Sequence, residues 1–281
     1  MRESIKEKFA KDFYEEEFEI LVLIKNQTYG GVILEKKWRR KVAYAYAMID
    51  LRNNELIKED CAINWLIKDK IFARNKYKFE KYGIYKLLVR KAKPVENDIF
   101  SSTWKYNRYM VVKIIDKKAK NKELEELAEY LKIPVIIKTN HIELTLDRDY
   151  NVFQGYAEID NENCDITVET DETDREKATK ALERLKKYED NLKELDNKLR
   201  NFAADDMLEN AIDWQSGRDE EEQEEELTRE KFIEKMSLCG FEFLQDGCII
   251  AYYDDGDMFW GHTIVVEMDE NDNFKGTNIA G

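Results

Sequence analysis

Histidine and proline are the scarce residues of this chain, with two of each among 281. Two prolines and eleven glycines exclude a collagen-like array or a proline-rich spacer. The two histidines, His141 and His262, are too few for a histidine-rich metal centre, so only a carboxylate site stays open. The four cysteines, Cys61, Cys164, Cys239 and Cys248, are scattered, and no pair has the close spacing of a zinc knuckle. They read as small, buried apolar residues. No GxGxxG or Walker pattern is present, and Gly30-Gly31 reads as a loop, so no nucleotide or other cofactor is expected. No stretch reaches the roughly 18 apolar residues of a membrane span. The opening MRESIKEKFAKDF is charged throughout, so the expected setting is cytoplasmic, with no membrane partner.

Charge is abundant and unevenly placed. Residues 1–118 hold 27 Lys+Arg against 17 Asp+Glu, whereas residues 119–281 hold 19 against 43. A basic half thus precedes an acidic one, and together they give the net −14. Opposite potentials on two lobes constrain partners and association rates more than fold. At this length two domains are expected. The reading is a basic β-rich domain over 1–118, a connecting helix over 119–133 and an acidic α+β domain over 134–281.

Hydrophobic period supports this division. A short helix is predicted within 3–16, where Ile5, Phe9 and Phe13 recur every fourth position. FEILVLIK (18–25) is a continuous apolar run of strand length, and KVAYAYAMI (41–49) alternates strictly. Asn53-Asn54 supplies turn residues before a strand carrying Cys61, Ile63, Trp65 and Ile67, and strands follow at 84–91 and 109–115. That pattern predicts a small antiparallel β-barrel or curled sheet.

In the second half strands are predicted at 135–138, 142–147, 152–160 and 164–170. After Asp174, read as an N-cap, a helical stripe runs through Ala181, Leu185, Tyr188, Leu192, Leu195, Leu199 and Phe202. Its favoured partner is the domain's own sheet, with a dimer seam as the minority reading, so monomer and dimer both stay open. Thr228 caps a shorter helix, and strands close the chain at 241–246, 248–255 and 258–268. The fold class is α+β: an antiparallel sheet packed by one long and one short helix.

Three segments also carry a likeness. They are IELTLDRDYNVFQGYAEIDNENCDITVET, NFAADDMLENAIDW around Trp214, and YYDDGDMFWGHTIVVEMDENDNFKGTNIAG with its Phe259-Trp260-Gly261-His262 signature. In order and content they resemble an uncharacterised bacterial family, domain of unknown function 2262, over roughly 134–281. The resemblance implies a fold neighbourhood and no established activity. The first half is matched to no family.

Three candidate sites follow. Asp255 and Asp257 beside His262 form the catalytic candidate, with histidine as general base and carboxylates for a hard metal. The competing reading is a tight Asp255-Gly256 hairpin turn and a core histidine, and it is favoured. Trp38, Arg39, Arg40 and Lys41, with Arg74, Lys76, Tyr77 and Lys78, interleave cations and rings as single-stranded nucleic acid requires. Against this, the rings read equally as barrel core, and the basic patch could dock on the acidic half. Asp219, Glu220, Glu221 and Glu222 with Trp260 are the candidate contacts for a protein partner with a basic surface. The sequence favours this last reading, a non-catalytic interaction protein of the immunity or inhibitor kind.

Overall fold

In the computed structural model, the run Ile20–Ile24 is apolar without alternation because both of its faces are covered. The structure describes residues 4–27, 32–35, 38–68, 77–94, 107–217 and 227–281. They fall into two units, Met1–Ile133 and Pro134–Gly281.

The first unit contains α1 (Ile5–Ala10), β1 (Phe18–Gln27), β2 (Val32–Glu35), β3 (Trp38–Asp50), β4 (Glu55–Ile57), β5 (Cys61–Lys68), β6 (Ile84–Lys91), β7 (Arg108–Asp116) and α2 (Lys122–Lys132). Strand β1 pairs antiparallel with both β3 and β6. The path β1-β6-β7-β5-β3 therefore returns on itself and closes a five-stranded ring, with β2 and β4 as appendages of β3. The pairings are antiparallel except β5 with β7, which run parallel. The ring is the small barrel or curled sheet that the strand pattern predicted, apart from that one parallel pair.

Inside the ring lie Ile20, Val22, Ile24, Ala43, Ala45, Cys61, Ile63, Trp65, Leu87 and Val89. In the alternation of β3 it is thus the small alanines that point inward, while Val42, Tyr44 and Tyr46 stay half-buried. A narrow ring needs small residues on one strand to admit Trp65 of β5 and Phe79 of the segment before β6. Leu21 and Leu23 face the other way and are covered by Leu124 and Ala128 of α2. Helix α2, expected as a connector, is therefore part of the first unit. Helix α1 is shorter than the 3–16 prediction. Ser4 and Glu7 close it with a capping box, and Phe13 leaves it to bridge Ala92.

The second unit contains β8 (Ile136–Lys138), β9 (Glu143–Asp147), β10 (Val152–Ile159), β11 (Glu162–Glu169), α3 (Thr179–Tyr188), α4 (Leu192–Ser216), α5 (Arg229–Lys235), β12 (Ser237–Phe243), β13 (Ile249–Asp254), β14 (Thr263–Met268) and β15 (Phe274–Ala280). Its eight-stranded sheet runs in reverse sequence order from β15 to β8. Neighbours are antiparallel except β11 with β12, which are parallel and are joined by the helices. The helical stripe packs where expected. Ala181, Leu185, Leu192, Leu195 and Leu199 are buried in the unit's own core.

Three details differ from the prediction. The stripe is broken by a 3₁₀ turn over Glu189–Asn191 into two helices. Asp174 is not the N-cap; it lies in the preceding loop, accepting from the Glu176 N–H and pairing with Lys177. Strand β15 closes the chain where no strand was predicted. Its residues are mostly exposed, so no inward alternation announced it. Among the described residues no helix is long and apolar enough to cross a membrane.

Candidate functional site

The segment between β13 and β14 was predicted as a tight turn followed directly by strand. It is instead a loop over residues 255–262, and left-handed backbone builds it. Gly256, Asp257, Trp260 and Gly261 all have positive φ, at 53°, 67°, 61° and 79°. A Cβ on Gly256 would stand 2.5 Å from the Lys235 carbonyl oxygen, so glycine is required there by space as well as by angle. Met258 and Phe259 point inward and are fully buried.

Asp255 holds this loop together. Its side chain is 1% exposed. One carboxylate oxygen accepts from the Asp257 N–H at 2.9 Å, and the other from Phe259 at 2.6 Å and Gly261 at 3.2 Å. Three backbone donors that would otherwise be orphaned thus share one carboxylate. Both oxygens of the group are engaged by backbone.

His262 does not share a strand face with Trp260, as alternation suggested; both belong to the loop. Its Nδ1 lies 2.5 Å from the Phe259 carbonyl oxygen. A carbonyl only accepts, so Nδ1 carries the proton. The imidazole is therefore oriented by a backbone carbonyl, while both Asp255 oxygens are taken by backbone N–H groups. Cys248, the thiol closest in kind to a nucleophile for this histidine, is buried, and burial followed by the Asp246 hydrogen bond pushes it up to about 11. Such a thiol stays protonated and inert near neutrality. Cys61 and Cys164 are pushed up to about 12 by burial, then by neighbouring carboxylates. Cys239 departs from expectation in being exposed. Among the described residues no group of three or more His, Cys, Asp or Glu has the geometry to hold a metal ion.

What the loop does present is an aromatic surface. Trp214, near the end of α4, meets Phe259 at 5.6 Å, Trp260 at 5.2 Å and His262 at 5.5 Å, each edge-on. Phe259 is the buried anchor of this group. Trp260 is 55% exposed and is the outer member. Gly217, which ends α4, lies against the Trp260 ring, since a Cβ there would come within 3.9 Å of it. Sequence reasoning assigned Trp214 no role. The signal that marks it is Gly217 three residues on, which ends the helix and fixes which turn of α4 meets the loop. Asp219, Glu220, Glu221 and Glu222 lie outside the described residues.

The nucleic-acid candidates do not form one patch. Strand alternation divides them: Trp38 and Arg40 share one face of β3, whereas Arg39 and Lys41 share the other, and Lys41 is buried. Trp38 lies between two ammonium groups, Lys6 at 5.6 Å and Lys68 at 5.5 Å from its ring. Tyr77 packs edge-on against Trp65 at the core, and Phe79 is buried beside both. Lys78 is exposed, and Arg74 and Lys76 lie outside the described residues. Tyr77 and Phe79 thus pack on the barrel core, whereas Trp38 is half-buried between its two lysines.

No curated protein and no solved structure matches the chain. Two family models do. Residues 5–131 match a domain of unknown function, DUF7021, and residues 142–279 match DUF2262, described as an uncharacterized protein conserved in bacteria. The first half, unmatched on sequence reading, thus has a family of its own, and each match ends within one structural unit. The two units are thus similar to two different uncharacterised domain families, the first to DUF7021 and the second to DUF2262.

Proposed function

We propose that this is a non-catalytic interaction protein whose second unit recognises a protein partner with a basic surface. The observation that carries the reading is Trp260. A tryptophan in left-handed backbone costs about 1–2 kcal/mol relative to ordinary geometry, and an exposed indole forgoes burial besides. The loop nevertheless keeps it there, with Asp255 binding three N–H groups and Phe259 fully buried beneath. A rigidly held, solvent-facing indole is a typical interface anchor. Its neighbours in sequence are acidic: Asp254, Asp255 and Asp257 precede it, and Asp213 adjoins Trp214. An indole beside carboxylates suits an arginine- or lysine-rich surface, through cation–π contact and charge attraction. Asp255 and His262, both committed to backbone, support the non-catalytic half of the reading.

The test replaces Trp260 with a photoreactive phenylalanine analogue in the full chain within a bacterial host. The expected outcome is cross-linking to a basic protein, with a yield that falls steeply when salt is raised before irradiation. The same analogue at Tyr150, another exposed ring of this unit, serves as control. Identical cross-linked species at both positions, or an acidic partner at Trp260, would sink the reading.

A further inference from the structure

One charged pair in the first unit lacks the balance that Arg52 and Arg90 have. Arg52 is paired with Asp50 and Glu16, and Arg90 with Glu17. Among the described residues, Arg40 and Arg108 have no carboxylate in an ion pair. Strand register sets them on one face of the ring. Arg40 lies opposite Leu66 in β5, and Arg108 opposite Ala62. By alternation Arg40, Ala62, Asn64, Leu66 and Arg108 all point the same way, away from the interior that holds Ala43, Ile63 and Trp65.

Asn64 stands between them, completely buried. Its Oδ1 accepts from Arg40 Nε at 2.9 Å, and its Nδ2 donates to the carbonyls of Ala62 and Tyr109. The group that fixes Arg40 is therefore neutral. Burial and then the like charge of Arg108 lower Arg40 from the usual guanidinium value, and Asp12 and Tyr44 oppose them only in part. Arg108 Nε is buried and has no hydrogen-bond partner. Both side chains are half-buried, so desolvation is already incurred while their charges remain uncompensated. Lys6 and Lys68, either side of Trp38 on the same face, add further positive potential.

We propose that Arg40 and Arg108 form a binding site for a phosphate-class oxyanion on the outer face of the barrel. Two guanidinium forks, one oriented by Asn64 and one with a buried donor to spare, match the several acceptors of such a group. The oxyanion would supply the missing counter-charge to both arginines and an acceptor to Arg108 Nε. The same chemistry is offered by a free phosphate or pyrophosphate and by the phosphodiester of a nucleic acid. The inference is independent of the partner proposed for the second unit.

The test is calorimetric titration of the full chain with sodium pyrophosphate, and separately with a short oligothymidylate, in buffer matched with sodium chloride for ionic strength. Saturable binding of pyrophosphate is expected, weakened about tenfold or more in Arg40→Gln and in Arg108→Gln, because each removes one charged fork. Arg108→Lys, which keeps the charge and loses the fork, should bind between wild type and Arg108→Gln, with circular dichroism confirming that each variant is folded. Lys86→Gln, which removes a surface cation paired with Glu19, should bind as wild type does. If the oligonucleotide binds and is lost in the same two variants, the source is a phosphodiester; if pyrophosphate alone binds, it is a free oxyanion. No binding of either probe beyond chloride, or a loss that is equal in Lys86→Gln, overturns the proposal.

Discussion

Asp255 shows how a single side chain can be mistaken for chemistry. An aspartate in an Asp-Asp-Gly-Asp run beside a histidine has the composition of a metal or acid–base site, yet its two oxygens are consumed by three backbone donors. The prediction belongs to stability. Removing the carboxylate orphans the buried Phe259 N–H and loosens two part-buried bonds; an unsatisfied buried donor costs about 1–3 kcal/mol, so Asp255→Ala should lower the unfolding free energy of the second unit by about that amount. Asp255→Asn, with one acceptor left, should fall between wild type and alanine. Urea unfolding followed by circular dichroism measures both. A stable Asp255→Ala variant would mean that the loop does not depend on this carboxylate and would reopen a functional role for it. The loop was not legible from the sequence for a specific reason. Glycine is the residue that advertises positive φ, and Gly256 and Gly261 do mark the segment, but Asp257 and Trp260 adopt the same region without being glycine. With only the glycines to go on, a short turn and a long strand was the simpler expectation.

At the scale of elements, legibility followed burial. The strands predicted at 18–25, 84–91 and 109–115 sit within β1, β6 and β7, and Cys61, Ile63, Trp65 and Ile67 are all buried on β5. The elements missed, β2, β4 and β15, are short or mostly exposed, so no apolar period distinguishes them from loop. The parallel pairs β5–β7 and β11–β12 depend on contacts far apart in sequence, which local pattern does not encode. One glycine in a strand was informative. Gly155 lies within β10, where the Phe-x-Gly of VFQGY falls beside β9. A Cβ there would stand 2.4 Å from the Glu143 carbonyl oxygen, a backbone atom that moves only if the strand moves. Gly155→Ala should therefore push β9 from β10 and destabilise the unit by about 1–3 kcal/mol, the usual range for forced overpacking. The chemical-denaturation midpoint reports it, and amide exchange should quicken first in β8 and β9 at that sheet edge. An unchanged midpoint would mean that β9 accommodates the methyl without cost.

For the whole molecule the governing quantity is charge per unit. Residues 1–133 carry 30 Lys+Arg against 21 Asp+Glu, which leaves +9, and residues 134–281 carry 16 against 39, which leaves −23. Each unit has hydrophobic clusters built only from its own residues, so each should fold as a separate fragment. The acidic unit then poses a question of sign. It contains many surface ion pairs, such as Arg229 with Asp205 and Lys275 with Glu267, and salt weakens those. Exposed pairs are worth only about 0–1 kcal/mol each, and even if all 16 basic groups were paired, 23 carboxylates would be left over to repel one another. Repulsion is therefore the larger effect, and screening it stabilises the compact state. The melting temperature of a 134–281 fragment at neutral pH should rise as sodium chloride is raised from low to moderate concentration, while a 1–133 fragment, with a smaller imbalance, should change less. Scanning calorimetry of the two fragments at matched pH decides it. If the acidic fragment melts lower in salt, its ion pairs outweigh its repulsion, and its surplus of carboxylates is not the unspent negative field on which recognition of a basic partner depends.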